Sequence, residues 1–173
     1  MSSSATEAAP PAQPGVVRLE GRLADRSVWR AADRCSIGRA MQVIGTRSAM
    51  LLMREAYYGT RRFDDFAARV GITEAVAAKR LRELVDAGLL ERAPYQEPGQ
   101  RTRQEYRLTG MGRALAPAAL ALMQWGDTYL ADEPGGPLAL RHAGCGAPVA
   151  VEVRCAEGHE VALEDISVGV NRH

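Results

Sequence analysis

The chain has 173 residues, 46% of them hydrophobic and 25% charged, enough for one medium domain with a proper core plus appendages. No apolar run approaches the ~20 residues that span a bilayer, and the N-terminus lacks a signal-peptide apolar core. A cytoplasmic protein with no membrane partner is therefore expected, and its three cysteines are better suited to free, redox-active or metal-bound roles than to structural disulfides. The formal net charge of +1 hides an uneven distribution. Residues 35–130 hold 14 basic against 10 acidic side chains, whereas residues 131–173 hold 3 against 7. A basic middle and an acidic tail make a modest nucleic-acid signal.

Residues 1–15 are Ser, Ala, Pro and Gly with little to bury, and read as a disordered segment. Residues 16–34 carry Val17, Leu19, Leu23, Val28 and Trp29, a pattern that fits an extended arm and a short amphipathic helix equally well. From Cys35 the periodicity sharpens, and residues 35–131 read as the principal domain. Ile37, Met41 and Ile44 share one helical face, and Gly45 ends that helix. A second helix is expected from about Ser48 to Tyr58, closed by Gly59-Thr60.

Phe63, Phe66, Ala67 and Val70 then form an apolar stripe on a short helix. Gly71 suits the left-handed position that turns the chain, and Thr73 suits the N-cap of a longer helix to Ala87. Ala77, Leu81, Leu84, Val85 and Gly88 face inward in that helix. Ala75, Ala78, Lys79 and Arg82 line the other face. Leu90 to Tyr95 and Gln104 to Leu108 alternate as strands around a Pro98-Gly99 turn, with Arg101 and Arg103 at its exit. Two short helices split by a glycine turn and followed by a β-hairpin have the order of a winged helix-turn-helix, which serves to place one helix in a DNA major groove.

The fold class expected is thus mainly α with a small β-hairpin wing, and the partner is double-stranded DNA. Thr73 to Arg82 should enter the major groove, with Arg80 and Arg82 best placed to contact it and with the small Ala75 and Ala78 allowing close approach. Arg101 and Arg103 should serve the wing, and Arg61 and Arg62 the backbone beside the helix-turn-helix. A solvated charged face is the plain alternative for these cations. A protein-interaction module that has lost DNA binding is another, although Lys79, Arg80 and Arg82 argue against it.

After the hairpin, Thr109 should cap a long helix from about Met111 to Ala131, bent between Arg113 and Pro117. Its stripe of Leu115, Ala119, Leu122, Met123, Gly126 and Leu130, with Trp125 and Tyr129 adjoining, needs a partner surface. Either the same helix of a second subunit or the N-terminal helices of its own chain would serve.

The residues also resemble a known family. Cys35-Ser36-Ile37-Gly38-Arg39-Ala40 and Val43-Ile44-Gly45-Thr46-Arg47 are similar to the opening signature of the HxlR-type winged helix-turn-helix regulators. Arg61-Arg62-Phe63, Ala78-Lys79-Arg80-Leu81-Arg82-Glu83-Leu84, Ala87-Gly88-Leu89-Leu90-Glu91-Arg92, Glu105-Tyr106-Arg107-Leu108-Thr109 and Gly112-Arg113 follow in the family's order. The resemblance covers about Cys35 to Tyr129. It implies a homodimeric bacterial transcription factor of MarR-like architecture, joined through its first and last helices. One departure is Ser48, which stands where the family commonly has an aromatic residue and is expected to cap the second helix. Small-molecule and redox-responsive variants of such a regulator also fit. The former would hold an effector between the wing domain and the Trp125-bearing helix, in an apolar cavity at the dimer interface. The latter would use Cys35, which lies at a helix start between Arg34 and Arg39.

The acidic tail, residues 132–173, reads as a β-rich appendage. His142-x2-Cys145 and Cys155-x3-His159 bracket an alternating run of Val149, Val151 and Val153, and two His/Cys pairs of this kind fit one tetrahedral zinc site. A metal-free appendage fits as well, because the usual last ligand position is Gly158 and the histidine comes one step later. No cofactor is required elsewhere. No Gly-rich phosphate loop, Gly-x-Ser-x-Gly elbow or His-Glu-x-x-His motif is present, and Asp64-Asp65 reads as a solvated pair, so an enzyme is not expected.

Overall fold

The apolar stripes of three short helices converge on one hairpin, and that convergence sets the architecture. In the computed structural model, which describes residues 15–27, 35–133 and 135–171, the helices are α1 (Ser36–Ile44), α2 (Arg47–Tyr57), α3 (Phe63–Val70) and α4 (Glu74–Asp86). The hairpin of β2 (Leu90–Tyr95) and β3 (Arg103–Leu108) follows, then α5 (Gly110–Ala114) and α6 (Ala116–Tyr129). The strands pair antiparallel from Leu90 opposite Leu108 to Tyr95 opposite Arg103. Mainly helical with a β-hairpin wing, this is the fold expected.

The core sits where α2, α3, α4 and the base of the hairpin meet. Leu52, Met53, Phe66 and Leu81 are fully buried there, with Leu84, Leu89 and Leu90 beside them. Each such side chain contributes about 1.5–3 kcal/mol through the apolar surface it withdraws from water. Tyr106 closes the core from β3, its ring meeting Phe66 edge-on at 5.9 Å. Gly112 fills the remaining close approach, since a Cβ there would lie 2.1 Å from the Leu89 carbonyl oxygen. Tyr57 uses the same spot, donating its hydroxyl hydrogen bond to Gly112 O at 3.1 Å.

Local chemistry sets most helix ends. Gly71 adopts φ 68° and turns the chain out of α3. Thr73 caps α4 by accepting from Val76 N, and Thr109 caps α5 by accepting from Gly112 N. The second helix is capped by Thr46, which accepts from Ala49 N at 3.2 Å, and not by Ser48, which is the second residue of the helix. Where one bent helix was expected after the wing, there are two. Pro117 lacks the N–H that an unbroken helix would use there, so the chain restarts at Leu115 and the proline falls in the first turn of α6.

The described residues cluster into two units, one drawn from Met1–Arg30 and Glu152–His173, the other from Ala31–Val151. In the first, β1 (Arg18–Leu19) pairs parallel with β4 (Ser167–Val168), and Leu23 is buried at the end of the short 3-10 helix Gly21–Leu23. Of the arm expected over residues 16–34, the described part holds two strand residues and one 3-10 turn. Val28, Trp29 and Arg34 lie outside the described residues, as do residues 1–14 of the stretch read as disordered.

Regular strand is scarce in the tail. The run of Val149, Val151 and Val153 joins no sheet. Instead Gln124 of α6 grips it in the second unit, donating from Nε2 to Val149 O at 2.7 Å and accepting at Oε1 from Val151 N at 2.9 Å. No described helix is long and apolar enough to cross a membrane.

Candidate nucleic-acid interface

α4 is built with two faces. Ala77, Leu81 and Leu84 point into the core, so the residues about half a turn away point out. Ala75, Val76, Lys79, Arg82 and Glu83 occupy this outer side and are exposed. Lys79 and Arg82 form no ion pair with any described residue. Ala78 stands at the flank and is half-buried, a less open position than the sequence pattern suggests.

Arg80 lies on the opposite flank from Arg82. Its Nη1 donates to Glu83 Oε2 at 2.5 Å, and its Nε is buried without a partner among the described residues. Of the two arginines expected in the groove, Arg82 is the one presented freely. Thr73 uses a lone pair to cap the helix and keeps its own O–H to donate. The α4 N-terminus, with its uncommitted backbone N–H groups, suits a phosphate beside it.

The wing stands next to this helix. Gly99 takes φ 78° in the Pro98-Gly99 turn, and Gln100 N donates to Glu97 O at 3.0 Å. Arg101 and Arg103 are exposed on the returning arm and form no ion pair with any described residue.

Arg61 and Arg62, expected to meet the DNA backbone, are already engaged at the wing. Tyr106 N donates to Arg61 O at 2.8 Å, which adds a backbone rung beyond the two strands. The Arg61 side chain lies 3.7 Å from Glu105, a buried carboxylate that also accepts from Arg107 Nε at 2.6 Å. Arg62 pairs with Glu97 and rests over the Tyr95 ring, 5.2 Å from its centroid. The hydrogen bond and charge of Glu97 raise the Arg62 pKa above the ordinary guanidinium value. Both arginines remain more than half exposed, so neither contact removes them from the surface.

Sequence reasoning missed Val76, which stands exposed on the outer side of α4, and the Glu97 and Tyr95 partners of Arg62. Val76 was legible, because i, i+3 and i+7 join it to Lys79 and Glu83 on one line. Glu97 is 35 residues from Arg62, and no local pattern links them.

These features are those of a winged helix-turn-helix, and comparison with known proteins agrees. The profile of the HxlR-like helix-turn-helix family matches residues 43–134. The chain belongs to that family. An HTH-type transcriptional regulator of Mycobacterium tuberculosis strain H37Rv, Rv3095, is 41% identical over 133 residues, 76% of this chain and 83% of the relative. An HTH-type regulator of Methanothermobacter thermautotrophicus is 34% identical over 96 residues, 55% of this chain and 72% of that protein. Among solved structures, that of the transcription-factor candidate PA1607 superposes with a TM-score of 0.71 at 35% identity, covering 80% of this chain and 96% of that one. PA1374 of Pseudomonas aeruginosa, a second such candidate, gives a TM-score of 0.57 at 33% identity, covering 79% and 92%. This HxlR-like protein is therefore a transcriptional regulator with a helix-turn-helix domain, and its relatives are regulators rather than enzymes.

The remaining candidate residues lie apart from α4 and the wing. Cys35 is the N-cap of α1, its half-buried sulfur accepting from Gly38 N at 3.4 Å. Cys145 and Cys155 are exposed, and all three thiols are free. His142 Nδ1 approaches Cys145 Sγ to 3.1 Å in one unit, while Cys155 and His159 belong to the other. Among the described residues no group of three or more His, Cys, Asp or Glu is gathered to hold a metal ion.

α1 and α6 also differ from α2, α3, α4 and α5 in having no buried residue. Ile37 and Met41 of α1 are exposed, as are Leu122, Trp125 and Tyr129 of α6 and Leu130 just beyond it. Between α2 and α6 lies an apolar groove of about 440 Å³, lined among others by Met50, Arg54, Tyr57, Leu120 and Met123.

Proposed function

We propose that this HxlR-like regulator binds operator DNA as a homodimer, with α4 in the major groove and the wing on the flanking backbone. The observation that carries the reading is the shared outward presentation of Lys79 and Arg82 on α4 and of Arg101 and Arg103 on the wing, all without ion-pair partners among the described residues. Cations held this way are ready to replace counterions along a duplex, and Arg82 can also reach base edges. Arg61, Arg62 and the Thr73 hydroxyl suit the backbone beside them, and Ala75 lets the helix approach closely. The apolar exposed faces of α1 and α6 suit a two-fold partner, because an operator of two half-sites calls for a symmetric protein.

Footprinting on the DNA upstream of its own gene, with sedimentation of the free protein, tests both halves. The expected results are a protected site with two-fold symmetry and a dimer at micromolar concentration. A monomer that gives no protection would overturn the proposal.

The groove between α2 and α6 favours a second, compatible reading, in which a small apolar effector modulates DNA binding. Its volume fits a drug-sized ligand, and Arg54 and Tyr57 supply polar groups at its wall. Thermal-shift screening with flat apolar acids would raise the melting temperature if this reading holds.

A further inference from the structure

Val76 is an apolar side chain in the first half of α4, exposed to 40%, on the helix side that also carries Ala75 and Lys79. It belongs neither to the core cluster nor to the partly buried residues packed against it. It stands about 100° round the helix from Ala77, off the buried stripe of Ala77, Leu81 and Leu84, and its β-branch makes it a poorer helix former than Ala or Leu. Its neighbour Ala75 has only a methyl group and cannot shield it. Lys79, one turn on, places a cation within reach of the same stretch of duplex.

The one feature of the major-groove edge that an apolar side chain can recognise is the C5-methyl group of thymine. We infer that Val76 contacts such a methyl in each half-site and sets a preference for thymine there. This inference rests on the DNA-binding reading above and adds a specificity residue to it. The division of labour follows from the chemistry. Lys79 and Arg82 supply attraction and hydrogen bonds, whereas Val76 supplies discrimination between thymine and a pyrimidine without a methyl group.

The test uses the full chain. High-affinity duplexes are selected from a random library, and each thymine of the best duplex is then replaced in turn by uracil, which keeps the pairing edge and removes only the methyl. One thymine in each half-site should show a loss of about fourfold, the equivalent of ~0.8 kcal/mol for one buried methyl group. Val76→Ala should bind the thymine and uracil duplexes equally at that position, while its response at every other position matches the unmodified protein. Because alanine favours helix, the variant should keep its melting temperature, and circular dichroism verifies this.

Three results would overturn the inference: a selected site with no thymine facing α4, no uracil substitution that weakens binding, or a weakening that persists unchanged in Val76→Ala. Failure of the unmodified protein to select any duplex is a different outcome, because it overturns the DNA-binding reading and the inference together.

Discussion

α4 and α6 are helices of similar length in one unit, and they use their apolar residues in opposite ways. α4 buries Ala77, Leu81 and Leu84 and, Val76 apart, turns polar or small groups outward. α6 buries no residue, yet it carries Leu122, Met123, Trp125 and Tyr129 in sequence. The first helix is finished by its own chain, so its outer face is free to evolve toward a ligand. The second carries apolar surface that is exposed among the described residues, and on the dimer proposal a second subunit covers it.

Equal truncations at the two helices should therefore fail differently. Leu81→Ala leaves a cavity among Phe66, Leu52 and Leu84, and should cost about 2–5 kcal/mol of folding stability, read as a large fall in the urea midpoint. Trp125→Ala, on the exposed helix, should leave the subunit's fold intact. It should weaken self-association at least tenfold, the loss of ~1.4 kcal/mol or more expected of an aromatic anchor, measured by sedimentation. Equal loss of fold in both variants would erase the distinction between the helices.

The outer face of α4 sharpens the contrast from the other side. Arg82→Ala should leave melting unchanged and lower operator affinity by about 1–3 kcal/mol, with relaxed choice among operator variants in a competition assay. Arg101→Ala should have the smallest effect, a uniform weakening on every duplex. The slope of log affinity against log salt should become shallower by about 0.9, seen in a salt titration.

Much of this arrangement was legible in the sequence, and the reason is locality. The Phe63-Phe66-Val70 stripe, Gly71 in the left-handed conformation, the Thr73 and Thr109 caps and the Pro98-Gly99 turn all follow from residues within a few positions of one another. What escaped depends on partners far along the chain or on competition between neighbours. Thr46 and Ser48 can both cap a helix, and the backbone path selects Thr46. Arg62 looked free until the hairpin brought Glu97 and Tyr95 beneath it. Arg80 and Arg82 look alike as letters, yet a rotation of two residues turns one toward Glu83 and leaves the other to solvent. The alternating valines of the tail followed the rule for a strand, but in place of a sheet their backbone groups bond to the Gln124 side chain, Leu140 and Val161.

That last substitution has a consequence for how the tail can change. The carboxamide of Gln124 offers one donor and one acceptor, as a peptide unit does, so it reads only the main chain at positions 149 and 151. Residues there can drift without loosening the attachment, whereas Gln124→Glu would set an anion against a carbonyl and release the segment. One side-chain amide thereby holds residues 149–151 against α6.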